Sequence, residues 1–279
     1  QGFETQDTTS AKSKFLSLRC HWSCENVPLT GFDFPIAFLF TLQSLDNTGG
    51  FDMGELDGKV SIITGGSGSI GLASAHRFVK AGAKVILADL NKDDLSRAVQ
   101  SLGEENAAYI ETDVTNERSV KTFVEATVER FGKIDIVFSN AGNFGTVAPI
   151  ADYPTEIFEA VYEVHVKGAF LICKYAVPHM NDGGSIVITS SVAGTRGDPG
   201  VYGYITAKHA QIGLMRCLSK ELSPRRIRVN SIHPGPIDNA FQHAVEDDLS
   251  KIIGRDAGEF FDEQTPLGRH GQADEIAQS

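Results

Sequence analysis

The sequence predicts an α/β protein built on a doubly wound parallel sheet, as one domain running from residue 56 to residue 279. Three observations carry that prediction. From Asp57-Gly58 onward, short apolar runs bounded by turn residues recur along the chain. Each is followed by a longer stretch with apolar residues at helical spacing, and strands that are apolar throughout belong to a sheet covered on both faces. The first run also ends directly in GGSGSIG (65–71), a glycine-rich turn of the kind that lets backbone approach a phosphate.

The elements follow in order. KVSIIT (59–64) is a β-rich first strand, and LASAHRFVKAGA (72–83) has the apolar spacing of a helix. KVILADL (84–90) is a second buried strand, and DDLSRAVQSLG (93–103) a helix closed by Gly103, since glycine adopts the backbone conformation that ends helices. AAYIETDV (107–114) gives the third strand, and ERSVKTFVEATVERFG (117–132) a long amphipathic helix ending at Gly132. IDIVFSNAG (134–142) is the fourth strand. One helix is predicted over 156–179, before a fifth strand, GSIVITSS (184–191). A helix bearing YGYITAKHAQIGLMRCLSKEL (202–222) then leads to the sixth strand, IRVNSIHPG (227–235). Right-handed crossovers between parallel strands make this a Rossmann-type sheet. No internal repeat suggests a solenoid.

Residues 1–55 have a different character. They show no sustained helical or strand period, and their most apolar run, FPIAFLFTL (34–42), is too short to span a bilayer. CHWSC (20–24) has no second Cys/His pair at zinc-site spacing, so it is not read as a metal site. The segment is expected to be a poorly ordered extension, or sequence outside the working protein. The composition, 41% hydrophobic and 22% charged, is that of an ordinary globular protein, and the net charge of −11 argues against nucleic-acid or anionic-membrane partners. Four cysteines in 279 residues are too few for a disulfide scaffold and fit a reducing, cytoplasmic setting.

Two features point to chemistry. Gly66, Gly68 and Gly71 satisfy Gly-x-Gly-x-x-Gly between a strand and a helix, and Asp89 lies 18 residues past Gly71 at the end of the second strand. An acid at that place accepts hydrogen bonds from a ribose and repels a 2′-phosphate, and the next residues, Leu90 and Asn91, offer no arginine. NAD is therefore expected over NADP. The second feature is VYGYITAKHA (201–210), where Tyr204 precedes Lys208 by four residues and so shares its helix face, whereas Tyr202 does not. An ammonium beside a phenol favours phenolate and is expected to lower the Tyr204 pKa from about 10.

These residues resemble the short-chain dehydrogenase/reductase family, across residues 56 to 277. Its cofactor signature, T-G-x-x-x-G-x-G, is matched by TGGSGSIG (64–71), with Gly65 and Gly71 in register and Ser69 in place of the middle glycine. The generic and family patterns place their glycines differently, and the family register fits a strand ending at Thr64. The resemblance implies cofactor contacts at Gly65, Ser67, Ser69, Ile70, Gly71, Asp89 and Leu90. TDV (112–114) resembles the stretch where Asp113 and Val114 meet the adenine. SNAG (139–142) resembles N-N-A-G, with Asn140 steadying the sheet and Ala141 and Gly142 beside the cofactor. HPGPI (233–237) resembles the segment flanking the nicotinamide, placing Pro234, Gly235 and Ile237 there, although Asn239 replaces the usual threonine further on.

The family's catalytic serine stands 13 residues before its tyrosine, which selects Ser191, with Ser190 the alternative. With Ser191, Tyr204 and Lys208 in these roles, the resemblance implies reversible hydride transfer between NAD(H) and a secondary alcohol or ketone of a small organic substrate. Tyr204 would be the acid/base, Ser191 would hold the oxygen, and Lys208 would lower the Tyr204 pKa and bind the nicotinamide ribose together with Tyr204. His165 occupies the family's catalytic asparagine position. It is either a tolerated substitution that keeps the backbone carbonyl in use, or a member of the proton relay. Tyr202 is left as a cleft wall or as packing. Residues 236–266 read equally as a partly apolar lid over substrate and as a pair of surface helices.

The family ends in a further strand and trailing residues that are expected after PLGRHGQADEIAQS (266–279), so the domain is expected to lack its last strand. A non-catalytic NAD-binding protein, or a truncated inactive one, is the second reading. An epimerase or dehydratase on the same scaffold is a third. The resemblance also implies a homodimer or homotetramer, and relatives such as 3-oxoacyl-carrier-protein reductases and secondary-alcohol dehydrogenases.

Overall fold

The computed structural model of the protein describes residues 54–279. The extension predicted over 1–55, with its CHWSC stretch, therefore lies outside the described residues except for Gly54 and Glu55.

Six strands are present among the described residues: β1 (Val60–Thr64), β2 (Lys84–Asp89), β3 (Ala107–Glu111), β4 (Ile134–Ser139), β5 (Met180–Thr189) and β6 (Arg228–Ile232). All pair in parallel, in the order β3-β2-β1-β4-β5-β6. This is the doubly wound Rossmann sheet that the strand–helix alternation predicts. The strand order reverses between β1 and β4, which opens a crevice at the carboxyl ends of those strands.

The sheet is buried from both sides because consecutive strand residues point to opposite faces. Ile62 and Ile63 are both fully buried, Ile62 with Phe123 and Ile172 on one face and Ile63 with Val85, Leu87 and Leu95 on the other. Each such side chain contributes roughly 1.5–3 kcal/mol on burial, which explains why the strands read as unbroken apolar runs. The covering helices are α1 (Ser69–Lys80), α2 (Lys92–Leu102), α3 (Glu117–Phe131), α4 (Thr155–Tyr162), α5 (Gly168–Ala176) and α6 (Tyr202–Leu222). Asn91 and Asn116 cap α2 and α3 by accepting first-turn N–H groups, and Gly103 and Gly132 follow their last turns with φ of 86° and 84°.

The structure corrects several boundaries, ending the third strand at Glu111 and the fourth at Ser139. The single helix predicted over 156–179 is α4, a π-helical turn at Glu163–Lys167, then α5 and a short 3-10 turn at Val177–His179. In the wide turn the Gly168 N–H bonds the Glu163 carbonyl, five residues back, a shift that leaves no mark on apolar spacing. The fifth strand begins at Met180 rather than 184, and the sixth ends at Ile232, leaving 233–239 as loop. Residues 236–266 contain two helices, α7 (Ala240–Ile253) and α8 (Ala257–Gln264), and a short α9 (Ala273–Ala277) follows. Among the described residues β6 pairs with β5 alone and forms a sheet edge.

The turn from β1 into α1 constrains its glycines unequally. A Cβ on Gly71 would sit 2.2 Å from the Gly65 carbonyl oxygen, whereas one on Gly68 meets nothing closer than 3.4 Å. Gly71→Ala should therefore lower the thermal unfolding midpoint by about 3–10 °C, the consequence of overpacking by roughly 1–3 kcal/mol in a domain of this size. Gly68→Ala should shift it little; a differential-scanning measurement on both variants checks the contrast.

Candidate active site

The crevice at the switch point is the mouth of a cavity of about 650 Å³. One end is built by the β1–α1 turn. Gly65 has φ of +63°, and a Cβ there would lie 2.9 Å from Ala141 Cα; one on Gly66 would lie 2.9 Å from Leu87 Cβ. Glycine is thus required at 65, a position of the T-G-x-x-x-G-x-G register alone, at 66, a position of the generic register alone, and at 71, which both share, but not at 68. Gly68 caps α1 without a side-chain acceptor for the helix's first N–H groups, so that positive end is available to an anion.

Gly65, Ser69, Ile70, Asp89, Leu90, Asp113, Val114, Asn140, Ala141 and Gly142 all line the cavity. Ser67 and Gly71, assigned to the cofactor from the sequence, do not. Ser67 instead supports Asp89, whose carboxylate accepts the Ser67 N–H at 3.1 Å and hydroxyl at 2.6 Å, while its other oxygen accepts the Leu90 N–H at 2.8 Å. Gly71 is buried against the Gly65 carbonyl. Asn140 joins three strand ends: its N–H donates to Thr64 Oγ1 (3.0 Å), its Nδ2 to the Gly65 carbonyl (3.2 Å), and its Oδ1 accepts from Thr189 Oγ1 (3.0 Å). At the far side Pro234, Gly235 and Ile237 complete the wall.

The other end of the cavity lies where α6 passes β5. Tyr204 and Lys208 face the cavity one helical turn apart, with Ser191 from the end of β5. The two serines differ in their partners. Ser190 turns its hydroxyl to the Lys208 carbonyl at 2.9 Å, while the Ser191 hydroxyl accepts the Ala193 N–H at 3.1 Å and lies 3.4 Å from the Pro234 carbonyl, on the cavity wall. Tyr202 does not line the cavity; its ring packs edge-on against Tyr153, with centroids 5.6 Å apart. Of the two readings of Tyr202, the structure supports packing.

The expectation that Lys208 lowers the Tyr204 pKa is not met. Burial pushes Tyr204 up to about 12, and the neighbouring Ser191 hydroxyl only partly opposes it. Burial likewise pushes Lys208 down to about 7, and its Nζ donates to the Thr189 carbonyl at 2.7 Å while lying 5.3 Å from the Tyr204 ring centroid. Desolvation outweighs attraction because each charge alone is out of water.

His165 sits on the π-helical turn, buried, its ring perpendicular to that of Tyr204 at 5.5 Å. Its Nε2 lies 2.6 Å from the Asn143 carbonyl oxygen, and Nδ1 has no partner. Burial first, and Lys208 second, hold its pKa well below the ordinary value, so the imidazole is neutral. A Cβ on Gly142 would come within 2.5 Å of the ring. The His165 carbonyl accepts from Gln211 Nε2 at 3.0 Å.

Beyond Ser191 and Tyr204 the cavity is walled by aromatic and aliphatic side chains, with Arg196, Asp198, Gln242 and Gln264 among them. Phe144 lies 5.6 Å from the Tyr204 ring and 6.4 Å from Phe241 of α7, while Val245, Leu249 and Phe261 extend the wall. The segment 236–266 is therefore a helix pair that also roofs the cavity. Phe144 and Phe241 were missed in the sequence because their positions match no motif; Phe144 closely follows SNAG, but nothing in the spacing marks it as a wall. The helix pair is clamped by His270, whose Nε2 meets Glu246 of α7 at 2.5 Å and Nδ1 meets Asp262 of α8 at 2.7 Å. Among the described residues no group of three or more His, Cys, Asp or Glu is placed to hold a metal, and no helix is long and apolar enough to cross a membrane.

A Rossmann crevice with a phosphate loop at one end and a Ser-Tyr-Lys group at the other defines a nicotinamide-dependent oxidoreductase type of site. A family model described as enoyl-(acyl carrier protein) reductase matches residues 65–279. The chain belongs to the short-chain dehydrogenase/reductase family. It is 37% identical over 232 residues to an uncharacterized oxidoreductase, YxbG, of Bacillus subtilis, covering 81% of this chain and 84% of that one. It is 35% identical over 232 residues to the 2,5-dichloro-2,5-cyclohexadiene-1,4-diol dehydrogenase of Sphingobium indicum, covering 81% and 90%. Among solved structures, NAD+-bound xylitol dehydrogenase superposes with a TM-score of 0.76 at 35% identity, over 80% of this chain and 91% of that one.

The clamp gives the helix pair a pH dependence. Burial works against protonation of His270, but the bonds to Glu246 and Asp262 outweigh it and its pKa is raised. A raised pKa adds stability that is complete below the unfolded value of about 6.5 and is lost as pH rises through the folded one. Limited proteolysis within 240–270 should therefore accelerate between pH 6 and pH 8.5, and His270→Gln should abolish that dependence.

Proposed function

We propose that the protein is an NAD-dependent dehydrogenase/reductase that interconverts a secondary alcohol and a ketone on a small, largely apolar, ring-bearing substrate. The observation that carries this reading is the placement of Ser191, Tyr204 and Lys208 on one wall of a cavity continuous with the phosphate loop.

The residues fit a dinucleotide. The Gly65–Gly71 turn permits close backbone approach, the uncapped start of α1 can receive the pyrophosphate, and Asp89, fixed by Ser67, can accept ribose hydroxyls. No arginine adjoins Asp89 in sequence to pair with a 2′-phosphate, which favours NAD. The nicotinamide, when bound, supplies or accepts the hydride.

The remaining steps belong to the chain. In reduction, Tyr204 donates its phenolic proton to the carbonyl oxygen; in oxidation, its phenolate removes the hydroxyl proton. Ser191 hydrogen-bonds the same oxygen and keeps it within reach. Lys208, pinned to the Thr189 carbonyl, holds a proton beside the phenol, and its positive charge favours phenolate when both groups ionise together. His165 enters as a neutral imidazole with Nδ1 unpartnered, the one ring nitrogen able to take part in a relay.

The substrate class rests on the aromatic and aliphatic wall. Phe144, Phe241 and Tyr204 form a cluster of rings that suits an alicyclic or aromatic ketone, while Arg196, Asp198, Gln242 and Gln264 on the same cavity wall can meet its polar substituents. The dehydrogenase of a cyclohexadiene diol among the relatives supports this reading. The half-exposed Tyr162 and Phe170, on α4 and α5, support a homo-oligomer, and the free thiols Cys173 and Cys217 support a reducing, cytoplasmic setting.

Three measurements test the proposal. Tyr204→Phe should lower turnover by roughly 10²–10⁴-fold while NADH binding, followed by fluorescence, stays nearly intact, and Tyr202→Phe should do much less. NADH should bind more tightly than NADPH. Phe241→Ser should raise KM for cyclohexanone-type substrates by about tenfold with NADH affinity unchanged. NADH binding without turnover across cyclic and acyclic ketones would favour the non-catalytic reading.

A further inference from the structure

Two positions depart from the family's cofactor pattern, Ser69 for glycine and Asn239 for threonine, and the fold brings them together. Ser69 is the first residue of α1, at the phosphate loop; Asn239 is the N-cap of α7, the first helix of the cavity roof. Asn239 Nδ2 donates to Ser69 Oγ at 3.0 Å, across 170 residues of chain. Both ends of the Asn239 amide are in use, since Oδ1 accepts the Gln242 N–H at 2.8 Å.

We propose that Ser69 and Asn239 form a latch across the dinucleotide cleft that governs cofactor release. The inference rests on the cofactor reading above. Its geometric basis is the sheet order. Asp89 ends β2, Ser69 follows β1 and Ser191 follows β5, so along β2-β1-β4-β5 the start of α1 stands between Asp89 and the Ser191–Tyr204 end, and Asn239, from beyond β6, reaches back to it. Ser69 and Asn239 both line the cavity. A ligand joining Asp89 to Tyr204 passes the bonded pair, so the latch opens for each entry and exit of the dinucleotide.

The latch does not act on a loose loop. Gln242 Nε2 continues to Glu246 at 2.9 Å, and Glu246 to His270 and so to Asp262. A run of hydrogen bonds therefore passes from the phosphate loop through α7 to the clamp on α8. Holding α7 at its N-terminus fixes Phe241, two residues beyond Asn239, so the closed latch also sets the substrate wall.

The test is the dissociation rate of NADH, measured by stopped-flow fluorescence with a trapping excess of NAD+. Ser69→Ala removes the hydroxyl. Asn239→Ser keeps a capping oxygen for Gln242 but is too short to reach Ser69. Each single variant should release NADH about 2- to 10-fold faster, the effect of losing one hydrogen bond of ordinary net strength. The double variant should be no faster than either single one, and Ser69→Thr, which keeps the hydroxyl, should restore slow release. Unchanged release, or effects of the two substitutions that multiply, would overturn the latch while leaving the cofactor reading intact. If the unmodified protein binds neither NADH nor NADPH, the cofactor reading falls and the latch with it.

Discussion

The site depends on one close approach of backbone to backbone. Gly65 leaves β1 with positive φ and comes so near Ala141 that a side chain has no room, while Gly71 lies against the Gly65 carbonyl. Asn140 then locks the junction by bonding the Gly65 carbonyl, Thr64 and Thr189. These contacts join the ends of β1, β4 and β5 at the point where the sheet reverses direction. An open crevice exists there only because the crossover helices leave in opposite senses. The glycines keep that crevice free of side chains, and the asparagine keeps its two rims in register. Asp89 and Ser191 are positioned by the same sheet, at the ends of β2 and β5.

Electrostatics at the other end follow from burial rather than from proximity. Loss of water pushes the Tyr204 phenol up to about 12 and the Lys208 ammonium down to about 7. Such a pair resists isolated charges but tolerates opposite charges formed together, since each then stabilises the other. Proton movement between Tyr204 and its surroundings is thereby coupled to the state of Lys208, whose ammonium already has a fixed acceptor in the Thr189 carbonyl. The neutral His165 ring beside Tyr204 adds no third charge to this region. A cation there would compete with Lys208, and the buried setting prevents it.

Sequence and structure agree where a local rule is strong. The doubly wound parallel sheet follows from the alternation of short apolar runs with helical ones, and the four-residue step puts Tyr204 and Lys208 on one wall of the cavity. The choice of Ser191 over Ser190 follows from spacing; in the fold the Ser190 hydroxyl is taken by the Lys208 carbonyl, while Ser191 accepts the Ala193 N–H. Disagreements arise where tertiary contacts decide. The π-helical turn conserves apolar periodicity closely enough to pass for one helix. Ser67 was placed on the cofactor because it lies in the signature, yet its hydroxyl is taken by Asp89 across 22 residues. The aromatic wall brings Phe144 and Phe241 together from segments 97 residues apart, and no short-range pattern encodes that meeting. The direction of the Tyr204 shift was also beyond spacing, because it depends on how much water the fold excludes.

The π-helical turn shows how a local irregularity can serve the site. Widening the helix by one residue directs the His165 carbonyl toward Gln211 of α6 and its ring toward Tyr204. Both contacts reach the helix that carries Tyr204 and Lys208, so the α4–α5 segment is fastened to α6 at the level of the chemistry. Gly142 completes the arrangement, since any side chain there would occupy the space of the His165 ring. Asparagine is shorter than histidine and would leave part of that space open. The histidine therefore changes shape as well as proton inventory: it fills the gap between the β4 loop and Tyr204, and its bond to the Asn143 carbonyl holds the loop that presents Phe144. Through this path a substitution on α4–α5 reaches the wall that the substrate meets.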